Sequence, residues 1–275
     1  MFTKEEKDKA RYFKFSFHPL NELEHYLQPR FLPVIEQNPD LDVIENHSIT
    51  IPKHIILFWH EATPPKDVQD SIDKIRLHNP TYQVLLFDEQ SAGQFIQQNY
   101  GQEFYYLYAR RCVHPSMKSD FFRMCYLAQK GGIYVDIDID CVKSLEEIFK
   151  NYAFDCLLFY SRGQPCCIDN DFIVCQPNNP IIAAVLKKIC DNLTGEYSFS
   201  SVWECTGPGA VSMAVMEILM QGIIDDAMDH VGLNRLQLIE HHLMTKAYYH
   251  MELEYKKSQE GNWRYFKLPT RLNVL

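Results

Sequence analysis

Short apolar runs alternate with helix-length stretches through most of this chain, and that alternation restricts the fold more than any other feature. HIILFW (54–59) and YQVLLFD (82–88) are continuous apolar runs of strand length, as expected of strands covered on both faces. Pro64-Pro65 opens a predicted helix that runs to about His78, where Asn79-Pro80 stops it. A second helix is predicted over Glu89–Tyr100. A third covers 116–130, started by Pro115 or Ser116 and ended by Gly131-Gly132. IYVDIDI (133–139), CLLFY (156–160), FIVCQ (172–176) and LQLIE (236–240) read as strands, and 180–193 and 208–221 as helices. This order predicts an α/β fold with a largely parallel central sheet flanked by helices. Sheets of that kind bind ligands beyond the carboxyl ends of their strands.

The 275 residues suit one large domain with an appendage. We divide them into a helical or mixed N-terminal appendage, 1–50, and a main domain, 51–275. The appendage has a charged, helix-prone start (4–11), alternating Phe13, Phe15 and Phe17, and a helix-prone stretch over 21–37. The three Phe side chains either pack on the main domain or make residues 1–47 a peripheral membrane contact. Lys plus Arg number 27 and Asp plus Glu 36, a net charge of −9. That sign speaks against a nucleic-acid partner, and any phosphate would need a local cation. The apolar stretch 210–224 is interrupted by Ser212, Glu217 and Gln221 and falls short of a bilayer span. The start of the sequence has no signal-peptide pattern. Nine cysteines with no CxxC read as free thiols in a reducing compartment. The expected location is cytoplasmic, with peripheral attachment to a membrane through the N-terminus.

The chemistry concentrates in GGIYVDIDIDC (131–141). If this segment stays extended, Asp136, Asp138 and Asp140 project from one face, with Val135, Ile137 and Ile139 on the other. A row of like charges is costly unless neutralised, and a hard divalent cation, Mn2+ or Mg2+, resolves the repulsion. The bland alternative is a solvated edge strand. On the preceding helix Asp120 and Arg123 stand three residues apart and share a face. By themselves they amount to an intrahelical ion pair. Beside the acidic strand, Arg123 suits a diphosphate or a hydroxyl-rich ligand.

SDFFRMCYLAQKGGIYVDID (119–138) resembles the signature of the glycosyltransferases known for a sugar-binding region with a DXD motif. These include capsule and lipooligosaccharide glycosyltransferases, yeast-type α-mannosyltransferases and the cores of clostridial glucosylating toxins. IPKHIILFWH (51–60) is similar to the family's first strand and NPTYQVLLFDE (79–89) to its second. The resemblance implies a GT-A nucleotide-diphospho-sugar transferase fold over 51–275 and sugar transfer with retention at the anomeric carbon. Residue by residue, it implies that Asp138 binds metal and Asp136 contacts ribose and sugar. Asp120 and Arg123 would hold donor hydroxyls with Ser119 nearby, so that Asp136, Asp138 and Arg123 form the catalytic set. Tyr134 would line the pocket and Trp59 would stack on the base, worth typically ~1–3 kcal/mol; for both, plain core packing is the alternative. Asn170 would contact the donor sugar, or else be a turn residue.

Three features depart from the family pattern or leave it open. Asp140 is an extra carboxylate, read as a third acid at the metal, an acceptor contact or a turn cap. Relatives carry a C-terminal His and then Ser-Trp; here His241, His242 and His250 compete. His250 is the expected metal ligand and Trp263, after Asn262, the donor contact. Lys256 and Lys257 either bind phosphates or form a solvated charge run. Gly207 and Pro208 read first as a helix start.

The expected activity is metal-dependent retaining hexosyl transfer from a nucleotide-sugar, a UDP-sugar first and GDP-mannose second. The expected acceptor is a saccharide or glycolipid in surface polysaccharide or lipooligosaccharide synthesis. The alternatives are a toxin-like or effector-like protein glycosyltransferase, a metal-dependent phosphohydrolase, and a non-catalytic nucleotide-sugar-binding module.

Overall fold

The computed structural model describes residues 51–149, 154–161, 167–195, 199–225, 236–241, 248–258 and 261–269, together with Thr3, Lys4 and Lys7. Apart from those three residues, the expected N-terminal appendage and its Phe side chains lie outside the described residues.

Strand β1 (His54–Phe58) lies between β2 (Gln83–Phe87) and β3 (Gly132–Val135), parallel to both. Beyond β3 come β6 (Cys167–Cys175), then β5 (Cys156–Ser161), then β7 (Leu236–Glu240). β6 runs antiparallel to β3 and β5, while β5 and β7 are parallel. Five of the six strands therefore point the same way, and the sheet is mostly parallel, as expected. A separate two-stranded ribbon pairs β4 (Ile139–Cys141) with β8 (Tyr248–His250).

The continuous apolar runs make sense because both sheet faces are covered. Side chains alternate across a strand, so Ile56 and Phe58 enter one core and Ile55 and Leu57 the other. Helix α1 (Lys66–His78) covers the second face with Val68, Ile72 and Ile75. The first face is covered by three helices: α4 (Pro115–Lys130), α6 (Pro180–Thr194) and α8 (Pro208–Asp225). Local signals set their ends. Asp88 and Ser91 form a reciprocal cap on α2 (Glu89–Tyr100). His114 accepts from the Ser116 amide at the start of α4, and Asn179 accepts from the Ile181 and Ile182 amides at the start of α6. Between α2 and α4 the chain makes a short helix, α3 (Gln102–Tyr106), and a wide helical turn, Leu107–Arg111. α5 (Leu145–Phe149) and α7 (Val202–Cys205) are single short turns. Among the described residues no helix is long and apolar enough to cross a membrane.

One expected element changes. The strand predicted over 133–139 stops at Val135, and the chain turns through Asp136–Asp138 before resuming as β4. The Ile139 amide closes that turn on the Asp136 carbonyl at 3.0 Å. Ser71 of α1 donates to the Ile137 carbonyl at 2.6 Å.

The join between α4 and β3 is tight. Gly131 has φ 63°, and a Cβ there would stand 2.5 Å from the Pro177 nitrogen. A side chain at this position combines left-handed strain with a backbone clash. Gly131→Ala is therefore expected to cost at least about 2 kcal/mol in urea unfolding; an unchanged unfolding midpoint would contradict the packing described.

Candidate active site

A cavity of about 1180 Å³ opens at the carboxyl ends of β1 and β3. Its walls are the residues that follow β1, the first turns of α4 and α8, the 136–138 turn, the middle of β6 and the C-terminal segment 250–266.

Arg123 anchors one wall from inside. It is 3% exposed, and each of its nitrogens has work. Nη2 donates to Ser119 Oγ at 2.9 Å and lies 3.2 Å from Asp120 and 3.1 Å from Asp136. Nη1 donates to the Asn170 carbonyl, and the guanidinium lies 4.2 Å from the Tyr134 ring centroid. Burial works against its charge, but Asp136, Tyr134 and Asp120 outweigh that and hold it firmly protonated. Asp120 is saturated in turn: Asn170 Nδ2 donates to Oδ1 at 2.9 Å and Thr206 Oγ1 to Oδ2 at 2.8 Å. Burial still pushes its carboxyl up. Burial also lifts Asp136 to about 7, with the Arg123 charge opposing. Tyr134 donates to Asp136 at 3.0 Å and shares a 2.7 Å hydrogen bond with Ser119.

A second group at the cavity is an acid–imidazole cluster. The Asp136 amide bonds the Asp171 carbonyl at 2.7 Å, which brings the turn against β6. The Met251 amide bonds the Asp138 carbonyl at 2.7 Å, which brings β8 to the same place. His250 Nδ1 then meets Asp138 Oδ2 at 3.1 Å, and its Nε2 lies 3.0 Å from Asp171 Oδ2. Lys256 donates to the same Asp138 oxygen. Burial opposes ionisation of Asp138, but His250 and Lys256 outweigh it and hold the carboxyl below the usual range. Hydrogen bonding to Asp138 and Asp171 lifts His250 to about 10. Deeper in, His241 Nδ1 meets Asp169 Oδ2 at 3.1 Å. The buried Asp171 carboxylate, with His250 Nε2 at 3.0 Å and His241 Nε2 at 4.0 Å, completes an acid–imidazole donor set that fits a cation.

Residues 65–155, about a third of the chain, match the family described as the glycosyltransferase sugar-binding region containing a DXD motif. This chain carries that region. The resemblance read from 119–138, with Asp136 and Asp138, falls inside it. The chain is also similar to a mannosyl phosphorylinositol ceramide synthase of Saccharomyces cerevisiae, 27% identical over 59% of this chain and 42% of that protein. It is similar to the initiation-specific alpha-1,6-mannosyltransferase of Schizosaccharomyces pombe, 25% identical over 78% of this chain and 60% of that one. It thus spans about half the length of these two relatives. A shorter match, 35% identical over 32% of this chain and 14% of the other, is to Subversion of eukaryotic traffic protein A of Legionella pneumophila. Among solved structures it is similar to PaToxG Glycosyltransferase, with a TM-score of 0.48, 18% identity and coverage of 85% of this chain and 87% of that one.

The structure brings most of the expected site residues to one cavity. Trp59, Ser119, Asp120, Arg123, Asp136, Asp138, Asn170, His250 and Trp263 all line it. Trp59 packs edge-on against Tyr255, with ring centroids 5.1 Å apart, and the Arg264 guanidinium lies 4.7 Å from the Trp263 ring. Asn170 lies within β6 and not in a turn.

Two residues stand elsewhere. Tyr134 is 1% exposed and sits behind the wall, bonding Asp136 and Ser119 from below. Asp140 is not among the residues lining the cavity: its carboxylate accepts from Lys74 and from the Tyr249 hydroxyl, each at 3.1 Å. The cause is the turn at 136–138, which ends the two-residue periodicity on which a row of three acids depended. Asp169, Asp171 and Thr206 were not singled out from the sequence, and His241 only as one of three competing histidines. The acids adjoin Asn170 at the two-residue spacing of one strand face, the one local signal that marks them.

Replacing Arg123 by Met leaves Asp120 and Asp136 buried without their counter-charge, which typically costs about 3–5 kcal/mol. Because burial raises both carboxyls, they take up protons as the pH falls, and the uncompensated charge disappears with them. The stability deficit of Arg123→Met, measured by urea unfolding, is expected to be smaller at pH 5.5 than at pH 8.5. Equal deficits at the two pH values would contradict this charge pairing.

Proposed function

We propose that this protein is a metal-dependent, retaining glycosyltransferase that moves a hexose from a nucleotide-sugar to a saccharide or glycolipid acceptor. One observation carries the reading: the Arg123-braced group of Asp120, Asp136 and Asn170 and the cluster of Asp138 and His250 line a single cavity. The first group offers acceptors and donors suited to sugar hydroxyls. The second answers the need for local positive charge in a chain whose net charge is −9. A divalent cation held by the acids and imidazoles around Asp138 and His250 supplies charge against the departing diphosphate.

The chain's own residues do the rest. Arg123 fixes the Asp120 and Asp136 carboxylates so that sugar and ribose hydroxyls meet preset acceptors. Lys256, Lys257 and Arg264 also line the cavity, and in this reading they meet the donor phosphates. The acceptor hydroxyl attacks the anomeric carbon from the leaving-group side. The carbon–oxygen bond to the diphosphate breaks as the new glycosidic bond forms, and the hydroxyl proton passes to a donor phosphate oxygen.

Mannosyl transfer has the support of the two relatives' names, so GDP-mannose heads the donor panel, ahead of the UDP-sugars expected from the sequence. The test is release of nucleoside diphosphate from GDP-mannose and a set of UDP-sugars, with Mn2+ or with chelator. One donor is expected to turn over with Mn2+ and to stop with chelator, and Asp138→Ala to lose at least about 100-fold in rate. Release of sugar phosphate would instead favour a phosphohydrolase, and full activity of Asp138→Ala would sink the proposal.

A further inference from the structure

We infer that Trp203 is the platform on which the acceptor sugar stacks, its pyranose ring laid against the indole and one hydroxyl accepting from the indole N–H. This rests on the transferase reading and deepens it by naming a residue that meets the acceptor.

All three tryptophans of the chain line the cavity. Two are already engaged. Trp59 is 5% exposed, with the His60 ring centroid at 4.7 Å and the Tyr255 ring centroid at 5.1 Å. Trp263 carries the Arg264 guanidinium at 4.7 Å. Trp203 differs from both. Among the described residues no aromatic ring or cation stacks on its indole, and its N–H is neither hydrogen-bonded nor buried. An indole in that state on a cavity wall offers an apolar face and one donor side by side. A hexopyranose offers the complement: a face of C–H bonds with hydroxyls around its edge.

The indole is held in place before any ligand arrives. It stands on α7, which Ser201 caps by accepting from the Glu204 amide at 3.3 Å. Asn192 of α6 donates to the Cys205 carbonyl at 2.9 Å and ties the other end of α7. Gly209, in the first turn of α8, leaves room for the ring: a Cβ there would stand 2.6 Å from Trp203 Cε3 and Cζ3. A platform fixed in advance spares the complex the entropy of ordering it.

Its position favours the acceptor over the donor. The Thr206 and Gly207 amides both bond the Val202 carbonyl, and Thr206 Oγ1 donates to Asp120. Trp203 therefore adjoins the group of Asp120 and Asn170 that holds donor hydroxyls in the proposed reaction. That group is deep, with Asp120, Asn170 and Thr206 all buried, whereas Trp203 is half-buried. A sugar on Trp203 lies nearer the mouth, beside the donor sugar and not in its place.

The probe is methyl α-D-mannopyranoside, with the open-chain polyol mannitol as control. The full chain is labelled with 5-fluorotryptophan, and its fluorine resonances are assigned by elimination from Trp59→Phe and Trp263→Phe. The glycoside is titrated in buffer alone and with Mn2+ and GDP or UDP. The Trp203 resonance is expected to shift with the glycoside in at least one condition and not with mannitol. Trp203→Ala is expected to bind the glycoside at least about 10-fold more weakly. Trp203→Phe, which keeps a ring and loses the N–H, is expected to bind about 3-fold more weakly. A Trp203 resonance that does not move in any condition, an equal response to mannitol, or wild-type affinity in Trp203→Ala overturns the platform. If Trp203→Ala weakens binding of the nucleotide-sugar by the same factor, the ring serves the donor and the acceptor assignment falls. The fluorine titration of otherwise wild-type protein decides the matter even if a variant at 203 fails to fold. It involves no turnover, so a negative result leaves the transferase reading intact, and failure of donor turnover leaves the glycoside titration to be read by itself.

Discussion

Crowded carboxylates are the constraint around which this structure is arranged. Asp120, Asp136, Asp138, Asp169 and Asp171 all border one cavity, and like charges at such range do not stay ionised unanswered. The protein answers them in two ways. On one side a buried guanidinium, Arg123, serves Asp120 and Asp136 together. On the other, imidazoles and an ammonium serve Asp138, Asp169 and Asp171. The first half is closed by hydrogen bonds from Asn170, Thr206 and Arg123; the second gathers acids and imidazoles whose ligand atoms lie within 4.8 Å of one another. That division separates the residues that shape a sugar subsite from those that handle charge.

The sheet makes the crowding unavoidable. β6 runs against its neighbours, so its central residues, Asn170 and Asp171, reach the carboxyl end of β3. Its register with β3 places Asp136 beside Asp171, and β8 adds His250 from the other side. The side chains that face one another come from four parts of the chain, positioned by backbone hydrogen bonds more than by local preference.

This explains which features were legible in advance. Continuous apolar runs and helix caps located β1, β2, β5, β7 and the major helices within a few residues of where they stand. The spacing of Ser119, Asp120 and Arg123 against Asp136 and Asp138 marked the cavity, because a helix followed by a strand fixes that geometry locally. The extended reading of 133–139 did not hold. Ser71 and the Asp171 carbonyl impose the turn from distant positions, and residues 66 and 35 positions away leave no mark in an alternating sequence. Asn170 has turn-like neighbours, yet lies mid-strand because pairing with β3 and β5 overrides local preference. His241 and His250 become distinguishable from the other histidines only once β6, β7 and β8 are brought together.

The claim on which the rest depends is that the acid–imidazole cluster takes up a divalent ion that in turn holds a nucleoside diphosphate. Its most direct measurement is calorimetric titration of GDP and UDP into the full chain, with Mn2+ and with chelator. The account predicts that at least one nucleotide binds at least about tenfold more tightly with Mn2+. Equal affinity under the two conditions, or no binding of either nucleotide, would contradict it.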